Sequence, residues 1–277
     1  MKTFLYTAFA LVAFAFNSIL CRLALRGDEI DAASFTSVRL TSGAVTLIVL
    51  SYFFSKSKSK TGQGNWYSAF FLFAYAICFS FAYIGLTAGT GALILFGCVQ
   101  LTMIGVAIWR GEKPTPVELV GLAAAFGGLV YLVLPGLSSP PMFNAGLMAA
   151  AGIAWGAYTL RGKSSSDPLA DTTGNFVFSL PFMLLAIIPF LSRIQLSNRG
   201  VILAILSGAV ASGIGYTVWY AALKHHTATR AAILQLAVPV IAAAGGVFFL
   251  AEAATTRLWI AGTAILGGIA LTIFGRK

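Results

Sequence analysis

The residues with most to offer chemically are aromatic rings with polar handles, set at helical spacing inside long apolar runs. Tyr216, Trp219 and Tyr220 stand at i, i+3 and i+4 and so share one helix face. Tyr75, Phe79 and Tyr83 repeat that spacing, and Trp155 with Tyr158 forms a third group. Such rings can stack a planar side chain or hold an ammonium against their faces, the latter worth about 2 kcal/mol once water is excluded. Helix packing and interfacial belts use the same residue types. Asn17, Gln100 and Gln235 add neutral hydrogen-bonding groups within the runs, which either bridge helices or read polar atoms of a ligand. Arg39 is the cation farthest from the ends of its run. It either snorkels to the interface or faces inward to offset a carboxylate.

The acids are placed differently. Asp28, Glu29, Asp31, Glu112, Glu118, Asp167, Asp171 and Glu252 all lie outside the centres of the apolar runs. Glu112 and Glu252 each follow a run and precede a threonine. They are expected either to cap the next helix, where a carboxylate meets the positive dipole end, or to gate through ion pairs, Glu112 with Lys113 and Glu252 with Arg257. Buried carboxylates are the usual proton relays inside membranes, and none is available here. An intramembrane hydrolase or transferase needs a central Asp dyad, a Ser–His pair or an H-E-x-x-H motif. Both histidines, His225 and His226, sit together in one loop, so an enzyme is not expected. The same two residues are too few for a metal site. Cys21, Cys78 and Cys98 lie in or beside apolar runs without paired spacing, as small buried hydrophobes.

The elements that hold these side chains follow from composition. Of 277 residues, 58% are hydrophobic and 9% charged, and the mean hydropathy is +0.89. A soluble surface takes about 25% charged residues, so this chain cannot keep one wet. Ten apolar segments can be read: Thr3–Ala24, Ala32–Phe54, Trp66–Thr87, Gly89–Trp109, Thr115–Leu134, Asn144–Leu160, Asp171–Leu191, Asn198–Leu223, Thr227–Leu250 and Arg257–Phe274. A bilayer crossing takes about 20 residues, and lipid offers no partner for a free backbone group, so each run is predicted to be a helix. The first run is longer than a cleavable signal core and lacks a small-residue cleavage site, so it is expected as a retained span. With the N-terminus in the cytoplasm, twelve Lys and Arg fall in inside loops and five (Arg22, Arg26, Arg193, Arg199, Arg257) in outside loops. That bias predicts an inner-membrane protein with both termini cytoplasmic. The net charge of +10 is then topogenic, and nucleic acid is not an expected partner.

A repeat organises the runs. Glu112, Thr115 and Gly127-Gly128 recur as Glu252, Thr255 and Gly267-Gly268 at a displacement of 140. Phe14-Ala15 matches Trp155-Gly156 at 141, and Tyr83-Ile84-Gly85-Leu86 matches Tyr220-Ala221-Ala222-Leu223 at 137. Residues 1–137 and 138–277 are thus predicted to be two five-helix repeats. Five is odd, so the second copy enters the bilayer from the opposite face. Inverted repeats of this kind place a ligand site between the halves near the midplane.

Ten spans, Gly111-Glu112 and Ala251-Glu252 after apolar helices, Pro239 thirteen residues before Glu252 and the Gly-Gly helix closing each half together resemble the EamA family of drug/metabolite transporters. Within it, the chain is most similar to YddG-type exporters of aromatic and other neutral amino acids. In the first half Val99 stands where the second has Pro239, so a stronger helix distortion is expected in the second half. The resemblance implies an all-α carrier that exports small amphiphilic metabolites by alternating access, without a cofactor. With no central acid, facilitation fits better than proton coupling. The partners expected are a small-molecule substrate and the lipid bilayer, and the chain is expected to be a monomer. Efflux of planar cationic compounds is the alternative substrate class, and a scaffold or receptor without transport is the alternative of another kind.

Overall fold

A computed structural model describes residues 2–54, 64–111, 114–134, 136, 139–162, 165, 167–223, 225 and 234–275. The described chain is helical, apart from a short antiparallel bridge between Ile30 and Leu196 in two connecting loops. The helices are α1 (Lys2–Arg26), α2 (Ala32–Phe54), α3 (Trp66–Ala82), α4 (Ala88–Trp109), α5 (Pro116–Val133), α6 (Met142–Gly162) and α7 (Pro168–Ile187). A 3-10 segment, Ile188–Arg193, extends α7. The next rod begins as α8 (Asn198–Ile205), changes to π winding over Leu206–Ile214 and ends as α9 (Gly215–Leu223). Last come α10 (Ala237–Leu250) and α11 (Thr256–Phe274).

Short polar side chains start these helices. Asn65, Thr87, Thr115, Asp167, Ser197 and Thr255 each accept a hydrogen bond from a backbone N–H in the following first turn. Those donors have no intrahelical partner and lipid or loop cannot supply one. Thr115 and Glu118 complete a reciprocal capping box on α5. Seven helices among the described residues are long and apolar enough to cross a membrane, and Trp66–Ala82 and Ala237–Leu250 are apolar but shorter. The third run therefore stops at Ala82 rather than Thr87, because the backbone turns at Tyr83–Gly85. Part of the ninth run lies outside the described residues. Pro239 falls in the first turn of α10, where its missing N–H costs no bond. Its equivalent Val99 is inside the unbroken α4.

Large apolar side chains cover the outside, among them Phe248, Trp109 and Tyr52, each 84% exposed. On a soluble protein this surface would aggregate; against acyl chains it is the stable arrangement. Inside, α1 packs on α10 and on the α8–π–α9 rod, while α6 packs on α4 and α3. α2 lies against α7, α4 against α10 and α5 against α11. The π stretch packs on α2 as α3 packs on α7. Exchanging the first five rods for the last five leaves this pattern of neighbours unchanged.

The α5–α11 pair shows what the repeated glycines do. A Cβ on Gly268 would stand 2.5 Å from the Gly121 carbonyl oxygen, and one on Gly128 would stand 2.9 Å from Ala264 and Ile265 side-chain atoms. Gly127 and Gly267 meet nothing within 4 Å. One glycine of each pair thus permits the close backbone approach and its neighbour does not. Gly268→Leu is expected to lower the thermal unfolding midpoint in detergent sharply, at a cost above about 2 kcal/mol. Gly267→Leu should leave it within about 1 kcal/mol of the parent.

Candidate functional site

Five rods converge on a ring-walled cavity in the interior. Its lining is Phe14 and Asn17 from α1, Tyr75 and Phe79 from α3, Leu95 and Phe96 from α4, Trp155 from α6 and Tyr216 from α9. The rings touch edge to face or tilted, as their quadrupoles favour. Tyr75 and Trp155 have centroids 4.8 Å apart, Trp155 and Tyr216 4.8 Å, and Phe14 and Tyr216 5.7 Å. Phe14 and Trp155, matched by the repeat, face each other at 6.4 Å. The space between the rings takes only about one water, and all eight lining residues are buried. The cavity is closed.

Its polar lining residues Asn17 and Tyr75 belong to a network that continues behind the wall to Ser207, Arg39 and Ser212, which do not line the cavity themselves. The Asn17 amide donates to the Tyr75 hydroxyl at 3.1 Å, and Ser207 Oγ donates to Asn17 Oδ1 at 2.5 Å. Arg39 Nη2 donates to the same Tyr75 hydroxyl at 2.9 Å, and Arg39 Nε to Ser212 Oγ at 3.3 Å. Arg39 is 1% exposed, so it does not snorkel; its guanidinium lies over the Tyr75 and Phe79 rings at 5.1 and 4.9 Å. Ser207 and Ser212 belong to the π stretch. In α winding two residues five apart point about 140° away from each other; bonding at i→i+5 brings them to one side.

Other singled-out residues fall outside the lining. Tyr83 is fully buried at the end of α3, edge-on to Phe79 at 4.7 Å, with its hydroxyl on the Ala88 carbonyl at 3.3 Å. Tyr158 packs on Trp155 and meets the Asn175 amide at 3.5 Å. Trp219 lies edge-on to Phe14 at 5.8 Å, and Tyr220 is buried near Gly162. Gln100 and Gln235 are buried but do not line the cavity. Phe14, Leu95 and Phe96 were not among the residues read as ligand-binding. They carry no polar atom, and nothing in their spacing separates a cavity wall from ordinary core.

The sequence of this chain matches the EamA-like transporter family over residues 142–274. An uncharacterized protein of Pseudomonas aeruginosa is 48% identical over 99% of this chain and 96% of its own. A protein of Escherichia coli strain K12 named "Probable amino-acid metabolite efflux pump" is 25% identical over 73% of each chain. The chain belongs to the EamA-like transporter family. A solved crystal structure shares its fold at a TM-score of 0.69 and 18% identity, over 99% of this chain and 98% of that one.

In this EamA chain, Glu252 neither caps α11 nor pairs with Arg257. Thr255 is the cap, and the Glu252 carboxylate instead joins two other helices. Arg22 Nε of α1 donates to Oε1 at 3.2 Å, and the Ala88 N–H at the start of α4 donates to Oε2 at 2.8 Å. Arg22 Nη1 also donates to the Tyr83 and Ile84 carbonyls at 2.9 and 3.0 Å, and Arg26 reaches the Leu250 carbonyl. Ala251 turns the chain into this position with a left-handed φ of 51°. Its repeat partner Gly111 has φ 94°, which glycine adopts without the Cβ clash. Arg257 turns the other way, donating to the Leu132 carbonyl at 3.4 Å and to the Leu134 carbonyl, which closes the end of α5. Glu112 lies outside the described residues.

The Arg22–Glu252 contact therefore latches α1, the α3–α4 turn and the end of α10 at one end of the bundle. A double-mutant cycle on Arg22→Gln and Glu252→Gln, read from unfolding in detergent, should return a coupling of about 1–3 kcal/mol, since either single change strands a mostly buried charge. Additive losses would remove the latch.

Proposed function

We propose that this EamA-family chain is a carrier for small amphiphilic metabolites, with aromatic and other neutral amino acids as substrates, exporting them across the inner membrane by alternating access. The observation that carries this reading is the closed, ring-walled cavity at the meeting of helices from both halves. Its rings suit a planar or apolar side chain, and its Asn17–Tyr75 pair supplies hydrogen bonds for polar substrate atoms. The printed name of the Escherichia coli relative, an amino-acid metabolite efflux pump, points the same way.

The mechanism follows from the symmetry of neighbours. We read residues 1–137 and 138–277 as two inverted five-helix repeats, with both termini cytoplasmic. A cavity this tight is the occluded form, and admitting substrate requires Phe14 and Trp155 to part. In that topology the Arg22–Glu252 latch stands at the outer mouth. Breaking this latch would open the cavity to the outer side, and rocking of one half against the other would open it to the inner side. No acid lies within the cavity wall, which supports facilitation over carboxylate-borne proton coupling.

Counterflow of labelled phenylalanine into proteoliposomes should proceed with and without a pH gradient; a strict need for the gradient defeats the facilitated mechanism, and no counterflow of any amino acid defeats the substrate reading. Tyr216→Ala should slow phenylalanine by about fivefold and threonine much less, because the ring contributes about 1 kcal/mol of stacking only to a planar partner. Equal losses would show that Tyr216 packs helices and nothing more.

A further inference from the structure

The wall of the cavity hides an uncompensated charge. Arg39 sits about 10 Å along α2 from its start, and its guanidinium offers five N–H donors. Nε donates to Ser212 and Nη2 donates one bond to Tyr75. Nη1 is buried without any hydrogen-bond partner. The ion pairs among the described residues are Arg22–Glu252 and Arg199–Glu29, and neither includes Arg39. A buried cation without an anion is strongly destabilising, and the two ring faces beneath it recover only part of that cost. Proteins keep such a group where something else brings the missing charge.

The cavity is the route by which it can arrive. Tyr75 and Phe79, the two rings that hold the guanidinium, are both part of the cavity lining. The second half does not duplicate the cation. Its corresponding stretch is Ser179-Leu180-Pro181, and Ser179 Oγ is spent on the Phe176 carbonyl at 2.6 Å. A site with one cation on one side of an otherwise two-fold set of rings binds a polar ligand in one orientation only.

From this we infer that Arg39 is the anchor for a substrate carboxylate, and that the site selects by charge. Ligands must bring a carboxylate; a free ammonium is optional. The guanidinium fork matches a carboxylate in two parallel hydrogen bonds, and Nη1 is free to make one of them. An apolar or aromatic tail then lies among Phe14, Trp155 and Tyr216. Cationic amines without a carboxylate are rejected, since they would meet Arg39 as a like charge in a dry site. The inference rests on the cavity being the substrate site.

The test is direct binding to purified protein in detergent, read by intrinsic tryptophan fluorescence, with three probes of similar shape. 3-Phenylpropionate keeps the carboxylate and lacks the ammonium, phenethylamine keeps the ammonium alone, and phenylalanine has both. Phenylalanine and 3-phenylpropionate should bind, and phenethylamine should be at least about tenfold weaker. Arg39→Met should abolish binding of both acids, with partial rescue in Arg39→Lys. Phenethylamine binding as well as the acids, or no binding by either acid, overturns the inference. If Arg39→Met does not fold, the three probes on the parent protein still decide it. Counterflow in proteoliposomes judges the transport reading separately, so the two can fail independently.

Discussion

Within a bilayer a polar group has no water to fall back on, and that constraint organises the chain from its ends to its centre. It forces the backbone into helices and puts a Ser, Thr, Asn or Asp at the described helix starts that carry a side-chain cap. It also explains why loose carbonyls at helix ends attract arginines. Arg22 takes those of Tyr83 and Ile84, Arg26 that of Leu250, and Arg257 those of Leu132 and Leu134. These cations, counted from sequence as topological signals, serve here as caps that tie one helix to another. Glu252 joins the same scheme from the other side, accepting from the first N–H of α4 while it neutralises Arg22.

The same constraint at the centre gives the opposite result. Asn17, Tyr75, Arg39, Ser207 and Ser212 are hydrogen-bonded to one another across α1, α2, α3 and the π stretch, with Arg39 Nη1 left over, so the interior is fixed by a polar chain and not by apolar packing alone. Such a chain has a defined register and is costly to leave half made. The close approach of α2 to the π stretch depends on small residues. A Cβ on Gly43 would stand 3.2 Å from the Gly208 carbonyl oxygen.

How much of this could be read from the sequence varies with the range of the interaction. The helices were legible, because apolar runs and capping residues are local. The convergence of Tyr75, Phe79, Trp155 and Tyr216 was partly legible, since i, i+4 spacing puts rings on one face but does not say which faces meet. Tyr83 and Tyr220 share that spacing with Phe79 and Tyr216 and still fall outside the cavity, because they stand one turn further toward the helix ends. Two features had no local signal. The π winding at Leu206–Ile214 changes which residues are neighbours, so Ser207 and Ser212 read as unrelated. The Arg22–Glu252 pair spans 230 residues, and proximity in sequence favoured Arg257 instead.

The closed cavity is itself informative about energetics. Ring pairs such as Tyr75–Trp155 and Trp155–Tyr216 contribute about 0.5–1.5 kcal/mol each beyond their buried area, and they form when the site is empty. A substrate with an aromatic or bulky apolar side chain replaces those contacts with its own as it separates the rings. The empty and loaded occluded forms then differ little in ring contacts, and a small polar solute such as water offers no such replacement. A ligand shifts a conformational equilibrium only by its differential affinity for the two forms. Under the proposed function, apolar side chains would open this interior and solutes that cannot stack would leave it shut, and the collapse of the rings onto each other would be the seal of a carrier without a central acid.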